Sequence, residues 1–188
     1  MLTRIMKLKN WRKLGVLAIA ITIGYQTALA LLYGGYPSYG SYPDEFWFIS
    51  TGVYLVRNVP LNSFPYPIGI EKTILLEVFI GALYIFLGFP YLFYFLCTWN
   101  ILVMTTLILS AYVIGEYFFD RETGLLAALL IGWNWHVGWY SQRVLSDIGM
   151  IAFEFLSIAL FCKYLSHRDW KYLAVSGFTA ALALWTKE

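Results

Sequence analysis

Charge is what this sequence has least of. Asp, Glu, Lys and Arg make up 13% of its 188 residues, against about 25% in an ordinary soluble chain. Hydrophobic residues make up 60% and aromatics 20%, and the mean hydropathy is +0.66. A soluble domain of this length could not hide so much apolar surface, so a soluble function is excluded. The net charge of +2 is too small to imply nucleic acid as a partner. Cysteine is scarce too. Cys97 and Cys162 sit in apolar runs with no CxxC or metal spacing, and read as small buried hydrophobes. His136 and His167 are too far apart for an HxxxH pair, so no histidine metal site is expected. Walker A, GxGxxG, zinc-ligand spacing, a nucleophile elbow, an Asn-x-Ser/Thr sequon and any visible internal repeat are all missing. No single motif names the chemistry.

What is present is a series of apolar runs separated by short breaks. The pattern is that of an all-α polytopic membrane protein. Residues 1–13 carry Arg4, Lys7, Lys9, Arg12 and Lys13 with no acid, and read as a cytoplasmic basic tail. Residues 14–188 form the membrane domain. The first helix spans about 14–33 and is too long for the core of a cleaved signal peptide. Residues 34–71 read as an outer loop, with GGYPSYGSYP irregular and the aromatic stretch after Pro43 lying in the interface as a helix. Helices are then expected at about 72–88, 91–114, 124–140, 148–165 and 170–186.

Counting sides exposes a conflict. If every segment crosses, residues 163–171 fall outside, although Lys163, Arg168 and Lys171 argue for the inside. One middle segment must therefore fail to cross. The expected one is 72–88, re-entrant or surface-lying, because it is short and holds Glu77. Segment 124–140, weakened by Asn134 and His136, is the second candidate. Residues 141–147 then share the outer face with 34–71.

That face would gather Asp44, Glu45 and Asp147. Each acid also suits the first turn of a helix, where the dipole favours anions. Together, beside aromatics, they make a cleft for a polar substrate. Arg143 stands four residues before Asp147; it pairs with that acid or holds a phosphate. Lys72, Arg57 and Lys187 join it on the outer face as phosphate-binding or snorkelling cations. Trp133, Trp135, Trp139 and Tyr140 crowd the end of their segment as an interfacial belt, with sugar stacking open to one or two of them. Glu77, Glu116 and Glu154 are the acids that a transporter or channel would use.

Several stretches fall in a telling order. They are the Asp44-Glu45 pair in YPDEFWFISTGVYLVRNVP, the FPYPIG stretch, FFDRETGLLAALLIGWNW, SQRVLSD with Arg143 and Asp147, and finally GFTAALALWTK. This order resembles the N-terminal half of the GT-C glycosyltransferases. The nearest branch is glycosyltransferase family 39, the dolichyl-phosphate-mannose protein mannosyltransferases with the aminoarabinose transferases. The family often has two adjacent prolines where this chain has Pro65-Tyr66-Pro67, and its chains are much longer, so the 188 residues read as a truncated N-terminal portion. The resemblance implies a GT-C-like helical bundle with outer juxtamembrane helices in the first loop. It implies inverting transfer of a sugar from a polyprenyl- or dolichyl-phosphate donor to an acceptor hydroxyl, at the extracytoplasmic face of a multi-pass protein of the cell membrane. Asp44 would be the base, with Glu45 and Asp147 positioning substrates. Arg143, Lys187 and Lys72 would hold the donor phosphate. A divalent cation, magnesium or manganese, is the one cofactor left open, with Asp44 and Asp147 as its ligands. Donor and membrane lipids are the expected partners, and the acceptor is unassigned. The alternatives are a transporter or channel-like protein and a non-catalytic remnant of the family.

Overall fold

The computed structural model describes residues 2–33, 74–134, 136–137 and 146–187. Its long helices are α1 (Leu2–Tyr33), α2 (Ile74–Phe118), α3 (Arg121–Gly132), α4 (Ser146–His167) and α5 (Trp170–Lys187). There is no strand among the described residues. Within α2 and α4, Thr98–Phe118 and Asp147–His167 are long and apolar enough to cross a membrane, each with mean hydropathy 1.7. Lys13–Leu29 of α1 is a shorter apolar stretch.

The burial pattern suits lipid rather than water. Leu17, Ile21, Leu102, Leu130, Phe178 and Leu184 are exposed, while Thr22, Gln26, Asn100, Ser110, Ser176 and Thr179 are buried. In water this arrangement would leave large apolar patches unprotected. In hydrocarbon it is the expected one, because small and polar residues hold helices together where leucine gains nothing by burial. The fold is that of an all-α membrane protein.

Two boundaries differ from the sequence expectation. Residues 72–88 and 91–114 were expected as separate segments, broken at Gly88-Phe89-Pro90. Instead α2 runs through all three residues as one 45-residue helix. An internal proline costs about 3 kcal/mol through one lost hydrogen bond and a ring clash, and the helix carries that cost while keeping its turns on both sides of Pro90. The 124–140 segment differs the other way, since α3 stops at Gly132. Asn134 then accepts a hydrogen bond from Val137 N at 3.2 Å, so it caps a new start rather than continuing the old helix. The basic tail is wound into α1, which begins at Leu2. Helices α4 and α5 lie within two residues of their expected bounds. The outer loop 34–71 and its juxtamembrane helices lie outside the described residues.

The turns are built from recognisable caps. Asp120 caps α3, accepting from Thr123 N at 2.7 Å. Hydrogen bonds from Thr123 hold its carboxyl below the ordinary value of 3.8. That stabilisation is complete above the unfolded-state value and is lost as the pH falls through the lowered one. Arg168, at φ 57°, turns the chain out of α4 and donates its N–H to Tyr164 O at 2.7 Å. Asp169 then caps α5 through Lys171 N at 3.0 Å.

Contacts fix the directions. Gly115 faces Gly124, and Ile108 lies beside Gly132, so α2 and α3 are antiparallel. Gly15 meets Leu125 and Gln26 reaches Gly132, so α1 runs parallel to α3. Trp99 meets Gly149 and Phe153, while Glu116 shares a cavity with Lys163, so α2 and α4 are parallel. Ser157 and Ser176 each donate to the other's carbonyl at 2.9 Å, joining antiparallel α4 and α5. The core lies where α2, α3 and α4 meet, with Met104, Leu107, Ile108, Ala128, Ile148 and Ala152 buried.

The α2–α3 crossing is a backbone contact. A Cβ on Gly124 would lie 2.6 Å from Tyr112 O, and one on Gly115 would lie 2.7 Å from Gly124 Cα. Gly124→Ala is expected to destabilise the chain by about 1–3 kcal/mol through overpacking. Gly177→Ala, with nothing within 4 Å of the new Cβ, is the control that stays near neutral or gains. Denaturant-induced unfolding in detergent micelles measures both.

Candidate functional site

The directions sort the chain's charges between two ends. The start of α1, the α2–α3 turn and the α4–α5 turn share one end. Nine of the 13 Lys and Arg residues stand there: Arg4, Lys7, Lys9, Arg12, Lys13, Arg121, Lys163, Arg168 and Lys171. The opposite end receives Tyr33 as α1 finishes, Asp147 as α4 starts and Lys187 as α5 finishes.

Of the expected site residues, the structure therefore brings Asp147 and Lys187 to one end. Asp147 is exposed in the first turn of α4, where the helix dipole favours its anion. On the other side of α4, the Trp99 ring lies 3.7 Å from the Cβ position of Gly149 and 6.1 Å from the Phe153 ring, which packs this end of the helix against α2. Asp44, Glu45, Lys72 and Arg143 lie outside the described residues. Helix α1 ends at Tyr33, eleven residues before Asp44 in the chain, at the Asp147 end.

A divalent cation needs several ligands. Among the described residues no group of three or more His, Cys, Asp or Glu side chains stands together. Asp147 thus belongs to no three-ligand set in the described part, and no chemical step is routed through a cation here.

The feature that sequence reasoning missed lies deeper. Gly132 is level with Ile108, ten residues before the end of α2 and so about 15 Å into the span. Helix α3 thus ends halfway along that span. The freed Gly132 carbonyl accepts a hydrogen bond from Gln26 Nε2. Trp133 Nε1 donates to Thr22 Oγ1 at 2.9 Å, and its ring stacks on Tyr25 at 4.8 Å and 5°. Trp133 is therefore tied to α1 through its ring nitrogen and one ring face. The available signal was the placement of Thr22 and Gln26, polar residues four apart in an apolar run.

The sequence model of one family, described as dolichyl-phosphate-mannose-protein mannosyltransferase, matches residues 93–188, just over half of the chain. The chain belongs to this family. The match takes in Arg143, Asp147 and Lys187 and begins after Asp44, Glu45 and Lys72. Comparison with curated proteins and with solved structures gives no match. Family membership makes the chain one of the membrane glycosyltransferases of mannosyltransferase type.

The two-ended arrangement can be checked on intact cells with a membrane-impermeant thiol reagent, after Cys97 and Cys162 are replaced. D44C and D147C are expected to label from outside, and R168C only after permeabilisation. Labelling of D147C and R168C from the same side would mean that α4 does not cross.

Proposed function

We propose that this chain supplies the donor-side machinery of a membrane glycosyltransferase. It moves a sugar from a polyprenyl- or dolichyl-phosphate to an acceptor hydroxyl at the Asp147 end. The supporting observation is the convergence of Tyr33, Asp147 and Lys187 at the end of the bundle opposite nine cations. The positive-inside rule makes the cationic end cytoplasmic and the Asp147 end extracytoplasmic. The chain then crosses several times, and its reacting groups stand where a lipid tail and a sugar phosphate are both accommodated.

The chemistry needs few parts. Asp44 takes the proton from the acceptor hydroxyl as that oxygen attacks the anomeric carbon. The bond from that carbon to the phosphate oxygen breaks, and its electron pair leaves with the phosphate. Inversion follows from attack on the face opposite the leaving group. Phosphate departs without a general acid, so one base suffices. Arg143, Lys187 and Lys72 stabilise the departing phosphate, Arg143 with a bidentate fork. Glu45 and Asp147 orient sugar and acceptor by accepting hydrogen bonds from their hydroxyls.

A broken helix at mid-span is the observation that favours transport, since transporters build ion sites there. In this chain Gln26 takes the Gly132 carbonyl, and Trp133 is bound to Thr22 and Tyr25. Helix α1 thus takes up the polar groups at the break, which reads as a structural joint.

Transfer from a mannosyl lipid phosphate in reconstituted membranes tests the assignment. Asp44→Asn is expected to lower the rate by about 100-fold or more, the range of general-base catalysis. Arg143→Ala is expected to cost about 100- to 1,000-fold, as for loss of a group holding developing charge. Full transfer by D44N would remove Asp44 as the base. An unmodified chain that inserts correctly yet transfers nothing would favour the non-catalytic reading.

A further inference from the structure

At the cationic end, a cavity of about 400 Å³ opens between the last turns of α2 and α4. Val113, Glu116 and Tyr117 line one wall, and Cys162, Lys163 and Ser166 the other. Val113, Glu116 and Tyr117 follow i, i+3, i+4 spacing, and Ser166 stands three and four residues after Lys163 and Cys162, so the cavity is a groove between two parallel helix faces. Its size is that of a ligand site. Neither the proposed transfer reaction nor the core packing uses it.

The charges across it are opposite, yet Glu116 and Lys163 line the groove without forming an ion pair with each other. Tyr112 Oη donates to Glu116 Oε1 at 3.0 Å, which orients the carboxylate and leaves its other oxygen available. Ser166 Oγ donates to Cys162 O at 3.0 Å, which turns its lone pairs outward as acceptors. Both helices also end here, at Phe118 and His167, so the negative ends of two helix dipoles face the same space. One wall thus offers acceptors for a cation, while the Lys163 ammonium offers donors for an anion.

The depth says where such a ligand comes from. Tyr117, Phe118, Phe119 and Phe161 are exposed beside the groove. Arg121, His167, Arg168 and Lys171 stand just beyond them. Exposed aromatics backed by cations mark the headgroup level of a bilayer.

We propose that this groove binds the headgroup of a zwitterionic phospholipid of the ethanolamine type. Lys163 takes the phosphate. Glu116 and Ser166 accept hydrogen bonds from the primary ammonium. A choline headgroup has no N–H to give them, and Tyr117 alone does not make the aromatic cage that a quaternary ammonium needs. The site lies at the end opposite the proposed transfer chemistry, so either assignment can fail without the other.

Native mass spectrometry of the full chain, offered equal amounts of phosphatidylethanolamine, phosphatidylcholine and phosphatidylglycerol with the same acyl chains, tests this. The unmodified chain is expected to retain phosphatidylethanolamine about tenfold over the other two, the effect of one charge-assisted hydrogen bond. Glu116→Gln is expected to abolish the preference over phosphatidylglycerol, and Lys163→Gln to weaken retention of all three. Equal retention by the unmodified chain, or a preference unchanged in both variants, overturns the proposal. Soluble phosphoethanolamine separates the sources: if it displaces the lipid at equal concentration, the groove serves a soluble ligand and the lipid assignment falls. The unmodified chain alone decides both points should either variant fail to fold.

Discussion

The hydrogen bond from Gln26 to the Gly132 carbonyl holds the arrangement of this bundle. Inside a bilayer, a helix that ends at mid-depth exposes carbonyls with no water to meet them. Helix α3 does end there, and α1 supplies the missing donor. The neighbouring Trp133–Thr22 hydrogen bond and the Tyr25 stack lock the same pair. The satisfied carbonyl thereby fixes α1 parallel to α3, and so decides at which end residue 33 leaves the bundle. The loop with Asp44 and Glu45 starts at the Asp147 end because a buried amide in α1 caps a helix 106 residues away in sequence.

The α2–α3 crossing adds the second constraint. Gly115 and Gly124 let two backbones touch, so the chain reverses within the two residues Phe119 and Asp120. The Ser157–Ser176 pair does the same work for α4 and α5, with hydroxyls instead of hydrogens as the small groups. Neither seam gains from the hydrophobic effect, which is nearly absent between helices in lipid. Close approach and mutual hydrogen bonding replace it. Among the described residues, Ala, Ser and Thr are accordingly buried more often than Leu and Ile.

The membrane class was legible from composition, and α4 and α5 from their apolar length and the basic turn between them. Charge counting also led to the correct requirement that residues 163–171 share an end with the basic tail. It assigned the cause to a non-crossing 72–88 segment. The structure joins that segment to the next in a single helix through Pro90. Sequence could not show this, because Gly-Phe-Pro reads as a break wherever the flanking helix is not known to carry through the one lost hydrogen bond. The α3 break was hidden for a different reason. Asn134 was visible as a weak point, but Gln26, which takes up the Gly132 carbonyl at the break, is near it only in three dimensions. Of the six expected site residues, Asp147 and Lys187 are placed at one end. The rest lie in stretches rich in Pro, Gly and aromatics, where periodicity carries no signal about position.

The outer face of α4 bears on the choice between transfer and transport. Asp147 and Glu154 are seven residues apart, so they lie on one side of the helix, and both are exposed. An ionised carboxylate about 10 Å inside the apolar span costs several kcal/mol unless water or a polar ligand reaches it. Met150 and Ile151 lie between Asp147 and Glu154 on that side, so the two acids are separate polar points and not a continuous strip. Four and seven residues beyond Glu154, the same side presents Ile158 and Phe161, exposed and wholly apolar. A conducting path needs polar lining from one end to the other. The side of α4 that bears both acids does not supply one, which weighs against transport.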